Sequence, residues 1–321
     1  MKRIAVAALA AGILFAPGCG ERGQEGGDSD GLRGTITMSG AWALYPIAVR
    51  WAEEFRELHP GVRIDVAAGG AGKGMADCLA QVVDIGMVSR EIYPQEIEKG
   101  AWWVSVTKDA VVATVHEKNP VLAWILGKGI ARETLAGIWM TGKVSRWAQV
   151  GVGGIGDSIH VYTRSDACGA AKTWAKFLGA EQEDLLGIGV YGDPGLAEAV
   201  KKDRLGIGFN NINYVYDAKT GRQVEPIRVA PIDINGNGVL EANEDFYGSR
   251  ASLIAAIRAE QYPSPPARML HFVSKGRPER LIVVEFIKWV LTDGQQYVYE
   301  SGYVTLPNER ILDELKKLGD F

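Results

Sequence analysis

The chain has 321 residues, of which 47% are hydrophobic and 23% are charged. This balance is typical of a globular protein and excludes a disordered chain and a polytopic membrane protein. Lys and Arg number 35 and Asp and Glu 39, so the net charge is −4 and no general attraction to nucleic acid is expected. This length favours two domains or one large α/β unit.

The start of the chain has the features of a lipoprotein export signal over residues 1–19. Two basic residues precede an apolar run over 4–16, which ends just before small residues and Cys19. The run is shorter than the ~20 residues of a membrane-spanning helix, so secretion is the better interpretation. Cys19 resembles the lipidated first residue of bacterial lipoproteins, and cleavage with release is the alternative. Residues 20–32 are polar and glycine-rich, which predicts a flexible tether.

Short β-branched runs alternate with amphipathic helical patterns along the rest of the chain, which predicts an α/β fold. The predicted strands are 35–38, 62–67, 85–88, 111–115, 160–163, 205–209 and 227–232. The predicted helices are 46–58, 75–83, 167–178, one starting at Asp193-Pro194, 278–291 and 308–318, with broken helical turns over 130–148. The order of the first elements is typical of a doubly wound domain.

Three strand-to-helix turns contain glycine or other small residues, at 39–43, 69–74 and 164–170. Such turns meet at the C-terminal edge of an open sheet, where helix N-termini offer backbone N–H groups to an anion. Arg90, which follows a predicted strand, and Arg164 carry guanidinium groups that suit a tetrahedral oxyanion. A tight packing turn at 69–74 and solvated arginines are the alternatives.

Several phrases of the sequence are similar to those of a known family. They are SGAWALYPIAVRWAEEFRELHPGVRI, AGGAGKGM, DIGMVSREI, YTRSDACGAAKTW, LGIGFNN, PARMLHFVSKGRP and LTDGQQYVYESGYVTL, within residues 34–310. The chain resembles the periplasmic phosphate-binding proteins of ABC-type uptake systems. This resemblance implies a two-lobed, type II periplasmic-binding-protein fold, each lobe a mixed sheet flanked by helices. The first lobe is expected to comprise 33–115 plus 226–321, and the second lobe 116–225.

The resemblance also implies an oxyanion site between the lobes. Its residues are expected to be Ala41, Trp42, Ala43, Ala71, Gly72, Lys73, Ser89, Arg90, Arg164, Ser165, Asp166, Cys168, Gly169 and Ala170. Asp166 is expected either to accept a hydrogen bond from a protonated oxyanion or to cap a helix. Trp42 either contacts the ligand through its indole or packs in the wall of the cleft.

The sequence departs from the family pattern at residues that carry hydroxyl groups elsewhere. Alanine stands at 41, 43, 71 and 170, Trp at 42 and Cys at 168. Each lost donor costs about 1–3 kcal/mol if nothing substitutes for it. Phosphate is the expected ligand, and another oxyanion or a small anionic organic ligand is the alternative.

A calcium loop is predicted over 233–244, within the first lobe. Oxygen ligands fall at the EF-hand positions: Asp233, Asn235, Asn237, the carbonyl of Val239, Glu241 through water, and a bidentate Glu244, with Gly238 at the turn. The ion is expected to be structural Ca²⁺ that pins the loop, and an Asx-rich turn without an ion is the alternative.

The cysteines bear on a possible enzyme function. Cys78 and Cys168 are expected to be two separate thiols rather than a disulfide, although export permits pairing. A thiol-dependent enzyme using Cys168 is an alternative, but the four histidines show no metal or nucleophile spacing and name no partner for it.

These observations together predict an extracytoplasmic, lipid-anchored and monomeric solute-binding protein rather than an enzyme. It is expected to deliver phosphate to an ABC-type permease in the inner membrane. A binding or sensor protein of the same fold for a different anion is the second hypothesis.

Overall fold

The structure is a computed structural model that describes residues 31–151 and 156–319. The predicted signal, Cys19 and the tether up to residue 30 lie outside the described residues. None of the helices in the described part of the chain has the length and apolar character needed to cross a bilayer.

Strands and helices alternate along most of the chain, as predicted. The strands are β1 (Gly34–Gly40), β2 (Val62–Ala68), β3 (Ile85–Val88), β4 (Ala101–His116), β5 (Ile130–Ala131), β6 (His160–Arg164), β7 (Ile188–Val190), β8 (Gly206–Asn211), β9 (Ile227–Val229), β10 (Ile232–Asp233) and β11 (Ala267–Lys275). The helices are α1 (Tyr45–Leu58), α2 (Ala71–Leu79), α3 (Pro94–Glu98), α4 (Leu122–Lys128), α5 (Arg132–Trp139), α6 (Gly169–Leu178), α7 (Gly192–Lys202), α8 (Arg250–Arg258), α9 (Leu281–Leu291), α10 (Gln296–Glu300) and α11 (Asn308–Leu318).

The main sheet has the order β2-β1-β3-β11-β4-β8-β6-β7, with β9 also pairing with β4. Strands β1, β2 and β3 are parallel, whereas β11 runs antiparallel to both β3 and β4. Residues 101–110 of β4 pair with β11 and residues 111–115 pair with β8. One long strand therefore belongs to both halves of the sheet, which makes β4 and its partner β11 the hinge strands.

The buried apolar residues form two separate cores. The first core takes residues from 36–106 and 270–318, and we call the part of the chain around it the first lobe. The second core takes residues from 110–267, together with Val304, and defines the second lobe. A mixed α/β protein with two cores on one shared sheet agrees with the predicted fold class.

The apolar face of α1 shows how local sequence builds the first lobe. Ile47, Trp51 and Phe55 are fully buried, and their spacing of four residues keeps them on one face of the helix, whose period is about 3.6 residues. Pro46 lies in the first turn, where its missing N–H has no intrahelical acceptor. The Trp51 Nε1–H donates to the Gly294 carbonyl at 2.8 Å, so the buried indole is satisfied.

Two sequence-based expectations about this fold need correction. The run 69–74 is not all loop, because α2 begins at Ala71 and contains the last four of these residues. The predicted strand 227–232 is divided into β9 and β10, and these pair with β4 and β5.

The segment 227–262 was expected in the first lobe but packs in the second. Its strands β9 and β10 pair within the second lobe, and Ile227, Ile232, Phe246 and Tyr262 are buried in the second core. The segment 233–244 therefore lies beside the second lobe, whereas we expected it in the first. That the chain divides into independent domains at residues 115 and 226 stays a prediction.

Candidate functional site

The first turns of α2 and α6 face each other across the two lobes. The Gly72 backbone N–H donates to the Ala167 carbonyl oxygen at 3.0 Å. A Cβ atom placed on Gly70 would lie 3.0 Å from Asp166 Oδ2, so only a residue without a side chain permits this approach. The glycine turn is thus a point of close contact between the lobes, and it places helix N–H groups there.

Ser89 and Gly169 form a second contact between the lobes. Ser89 follows β3 and is 2% exposed, and Gly169 is the first residue of α6. A Cβ atom on Gly169 would lie 2.2 Å from both the carbonyl oxygen and Oγ of Ser89. The predicted residues Ser89, Gly169 and Gly72 are therefore brought together at the first turn of α6.

Arg164 is the charged centre of this region. Its side chain is completely buried, and its Nε and Nη2 groups donate to the two oxygens of Asp166 at 2.8 and 2.7 Å. Its Nη1 group donates to Asp193 Oδ2 at 2.6 Å. Burial lowers the pKa of this guanidinium, but the carboxylates of Asp193 and Asp166 outweigh burial and hold the pKa above its ordinary value. Arg164 is therefore a permanent cation held in place by two acids.

Asp166 and Ser165 differ in what they contribute. Asp166 Oδ1 also accepts from the Gly192 backbone N–H at 3.2 Å, so its carboxylate joins Arg164 to the first turn of α7. The expectation that Asp166 caps the helix that follows it is wrong, because the first turn of α6 is capped by Cys168. Ser165 is exposed, and its backbone N–H donates to the Val190 carbonyl at 3.1 Å.

Two of the predicted cations are bonded elsewhere. The Arg90 guanidinium donates to both oxygens of Glu96, at 2.6 and 2.9 Å, and stacks over the Tyr93 ring. Lys73 forms a short hydrogen bond with Asp77, one helical turn along α2. Both cations are paired within the first lobe because an acid lies a few residues away in the chain. Arg90 instead lines a cavity of about 300 Å³ together with Gly72, Cys168 and Lys172.

Trp42 packs in the wall where the lobes meet, with the small neighbours Ala41 and Ala43 buried behind it. Its ring lies 3.2 Å from where a Cβ atom on Gly192 would stand, and its centroid is 6.2 Å from that of Tyr191. The Trp42 carbonyl accepts from the Tyr214 hydroxyl at 2.9 Å. The indole Nε1 is buried without a hydrogen-bond partner among the described residues, which leaves one donor for a ligand.

Two residues that sequence reasoning missed as site residues belong to this region. Asp193 is 1% exposed and binds Arg164, although its place before a proline marked it only as a helix start. Asn211 donates to Asp193 Oδ1 at 2.7 Å. The sequence did contain a signal for Asn211, which ends the phrase LGIGFNN. A polar side chain at the C-terminal end of a buried strand lies where α/β proteins bind ligands.

The two cysteines are free and buried, which confirms that they do not form a disulfide. Burial raises the pKa of the Cys168 thiol to about 12 despite the nearby Arg164 guanidinium. His160, the nearest histidine in the chain, bonds to Asp203 at 2.7 Å and not to Cys168. A thiol that is protonated at neutral pH is a poor nucleophile, so Cys168 is not an activated thiol in this structure.

We expect both thiols to be unreactive in the folded protein. Burial also raises the pKa of Cys78, to about 11, so neither residue supplies thiolate at pH 8. In a Cys19→Ser variant, a disulfide reagent such as DTNB should label both residues only after denaturant is added. Rapid labelling of Cys168 before unfolding, identified by its loss in Cys168→Ala, would contradict this expectation.

Comparison with known proteins decides the family. A sequence profile described as the PBP superfamily domain matches residues 27–294. The chain belongs to the PBP superfamily. The phosphate-binding protein PstS of Pseudomonas aeruginosa is 24% identical over 319 residues, covering 91% of this chain and 89% of that protein. PstS of Bacillus subtilis is 27% identical over 226 residues, covering 68% of this chain and 73% of that protein.

Solved structures show the same PBP-superfamily fold. A putative phosphate ABC transporter substrate-binding protein with bound phosphate from Clostridium perfringens superposes with a TM-score of 0.70 at 22% identity, covering 85% of this chain and 100% of that chain. An ABC-type phosphate transport receptor from Vibrio cholerae gives a TM-score of 0.61 at 20% identity, with 85% and 100% covered. The predicted two-lobed fold and the predicted family are confirmed.

Proposed function

We propose that this chain captures phosphate between its two lobes and delivers it to an ABC-type permease. The observation that carries the proposal is the meeting of the first turns of α2 and α6 beside Arg164. The backbone N–H groups of these turns have no intrahelical acceptors and carry partial positive charge. Relatives that match most of the chain are named phosphate-binding proteins, and this supports phosphate as the anion.

The anion is bound in this proposal mainly by backbone donors and by Arg164. A guanidinium has five N–H groups, and three of those in Arg164 are bonded to Asp166 and Asp193. The remaining two N–H groups lie in the same rigid plane, and in this proposal they donate to the tetrahedral oxyanion. The helix N–H groups of Ala71, Gly169 and Ala170 would replace the hydroxyl donors that are missing from positions 71 and 170, whereas the Gly72 N–H already donates to the Ala167 carbonyl. Trp42 adds its unpartnered indole N–H.

The chain is a binding protein in this proposal and does not transform its ligand. The buried acids, Asp166 and Asp193, are both engaged with Arg164 and are not free to act as general bases. Delivery to a permease would follow from opening of the hinge strands β4 and β11.

An uptake assay tests the transport function. Cells that lack this protein should lose high-affinity uptake of radiolabelled phosphate, and the wild-type gene should restore it. A gene carrying Arg164→Ala should be expressed and exported without restoring uptake. Full uptake by the deletion strain, with no other phosphate-binding protein induced, would contradict the proposal.

We also propose that the loop 233–244 binds a structural Ca²⁺ ion. Asp233 and Glu244 are each 3% exposed, and Asn235 donates through its amide to Glu241 at 2.9 Å, so the predicted side chains converge. Gly238 has a φ of +78°, as the turn position of such a loop requires.

The ligand set depends on amide and carbonyl oxygens as well as acids. Among residues 31–151 and 156–319, no cluster of three or more His, Cys, Asp or Glu side chains is placed to hold a metal ion. Asp233 and Glu244 accept hydrogen bonds from loop N–H groups such as Gly238 and Ile234. Calcium would need the amides of Asn235 and Asn237 to turn their oxygens inward. Ca²⁺ accepts such neutral oxygen ligands.

Calcium is expected to raise the melting temperature of the protein, and EDTA should reverse the effect. A ligand present at about 100 times its Kd stabilises the folded state by roughly 2.7 kcal/mol. Glu244→Gln should abolish the calcium-dependent shift, whereas Asp245→Asn, which changes the adjacent exposed acid, should retain it. Equal shifts in both variants, or none in the wild type, would contradict a calcium site here.

We propose further that the mature protein is extracytoplasmic and lipid-anchored through Cys19. The apolar run, the small residues and the cysteine at 19 support this. Lipid attached at Cys19, at the end of a flexible tether, would keep the binding lobes near the membrane. Metabolic labelling with palmitate should mark the wild type and not Cys19→Ser; equal labelling of both would exclude this anchor.

A further inference from the structure

A chain of buried polar side chains connects hinge strand β11 to Arg164. Arg268 on β11 forms a short hydrogen bond through Nη2 to the amide oxygen of Asn211. The Asn211 Nδ2 group donates to Asp193 Oδ1 at 2.7 Å. The other oxygen of Asp193 accepts from Arg164 at 2.6 Å. All four residues are buried, with exposures of 8%, 2%, 1% and 5% from Arg268 to Arg164.

The hinge end of this chain is fixed on both hinge strands and on α6. Arg268 Nε donates to Asp109 Oδ1 on β4 at 3.0 Å. Its Nη1 group donates to Thr173 Oγ1 on α6 at 3.2 Å. Since Asp109 and Arg268 belong to the two strands shared by the lobes, the position of this arginine depends on the geometry of the hinge.

Acidic groups outnumber basic groups along this series of hydrogen-bonded side chains. Two guanidinium groups, Arg164 and Arg268, face three carboxylates, those of Asp109, Asp166 and Asp193. Burial raises the pKa of Asp109, and a buried carboxylate is tolerated only when it accepts well-placed hydrogen bonds. The amide donor of Asn211, which Arg268 holds in place, is therefore needed to keep Asp193 where it is.

The direction of the Asn211 amide follows from Arg268. A guanidinium has donors and no acceptor, so only the amide oxygen can face it. The amide NH₂ group must then face Asp193. If the amide turned over, its oxygen would oppose the carboxylate of Asp193 and displace the acid that positions Arg164.

We infer that Arg268 and Asn211 are positioning residues for the anion site and act on Arg164 through Asp193. Neither lies among the residues predicted to touch the anion. The inference rests on the proposed function only in taking phosphate as the anion. The hydrogen bonds from Arg268 through Asn211 and Asp193 link the hinge to Arg164. Arg164 is therefore correctly oriented only when the hinge strands hold Arg268 in place.

The first test observes Arg164 directly and needs no ligand. In ¹⁵N spectra of the full chain, the Arg164 Nε–H resonance, assigned by its loss in Arg164→Lys, should exchange slowly with water because it is buried and bonded to Asp166. In Asn211→Leu, an apolar replacement of similar size, exchange should accelerate by about tenfold or more. Arg268→Lys, which retains a donor, should give an intermediate rate and serves if Asn211→Leu does not fold.

The matched control is Arg250→Met. Arg250 is another buried arginine, which donates to the carbonyls of Ala218 and Glu300 and has no link to Arg164. This variant should lose stability and leave the Arg164 resonance unchanged. Unchanged exchange of Arg164 in folded Asn211→Leu and Arg268→Lys would overturn the inference.

The second test measures phosphate affinity by calorimetry. Asn211→Leu should weaken binding on the order of tenfold, as loss of a group that orients a ligand usually does. In an Arg164→Lys background the same change should have almost no further effect, because the two act as a unit. If Asn211→Leu weakened phosphate binding by the same factor in the wild type and in Arg164→Lys, the inference would be overturned. If the wild type binds no phosphate, the proposed function fails, and the exchange measurement still decides the role of Asn211 and Arg268.

Discussion

Replacing Arg164 by alanine should abolish phosphate binding and also destabilise the protein. Removing one partner of a buried ion pair costs about 3–5 kcal/mol, because the remaining charge is left without compensation. Arg164 is bonded to two such partners, Asp166 and Asp193, whose side chains are 7% and 1% exposed. Calorimetry with phosphate and chemical denaturation of the same sample measure the two effects.

The matched control for this variant is Arg280→Ala. Arg280 also pairs with an aspartate, Asp84, but its side chain is 52% exposed. Exposed pairs contribute about 0–1 kcal/mol, so stability should change little and phosphate affinity not at all. Arg164→Lys should be partly stable yet bind weakly, since an ammonium cannot bridge both acids and an oxyanion. Near-native phosphate affinity in folded Arg164→Ala would remove Arg164 from the site.

Gly169→Ala should weaken phosphate binding about 100-fold while leaving the fold almost as stable as before, because it reduces the population of the closed state. The added Cβ atom would meet Ser89 O and Oγ at 2.2 Å, and these belong to the other lobe. The clash can be relieved by a small opening at the hinge strands, without disturbing either core. Alanine is otherwise favourable in a helix.

A second helical glycine in the same lobe gives the comparison. A Cβ atom on Gly195 in α7 would contact only Val190 Cγ1, at 3.0 Å, within the second lobe. Gly195→Ala should therefore retain phosphate affinity. If Gly169→Ala bound phosphate normally but melted several degrees lower, the contact with Ser89 would serve packing and not closure.

Much of the fold was accessible from local sequence signals. The strand Ile85–Val88 and the helix Asn308–Leu318 were predicted with the bounds that the structure has. Both have local causes: a short, fully buried apolar run in the first and an amphipathic pattern with acidic and basic ends in the second. Helix α8 was missed although Ser249 caps it by accepting from the Ser252 N–H at 3.1 Å.

The hinge strands were the least predictable elements. Only residues 111–115 of β4 were predicted, and β11 was missed altogether. Strand β11 contains Arg268, His271 and Ser274, all less than 9% exposed. Such polar residues disturb the apolar pattern of a buried strand, and they are tolerated because partners such as Asp109, far away in the chain, satisfy them.

The hydrogen-bonded cluster around Arg164 was predictable where its residues are neighbours in sequence and not where they are distant. Arg164 and Asp166 were identified together because they lie in one turn. Asp193, 29 positions from Arg164, and Asn211, 18 positions from Asp193, enter the site only through the sheet topology. Arg90 was expected to bind the anion, but Glu96 lies six positions away and pairs with it.

Calorimetric titration of the ligand-stripped, calcium-loaded protein with phosphate, with sulfate as the comparison, tests whether Arg164 and the first turns of α2 and α6 form a phosphate site. We expect one phosphate to bind per chain with micromolar or tighter affinity, and the sulfate titration shows whether a site made of N–H donors discriminates between the two anions. Backbone N–H groups and Arg164 would then replace the hydroxyl donors that the sequence lacks. A folded sample that gives no heat with phosphate would contradict the account and would mean that Trp42 and its neighbours mark a site for a different anion.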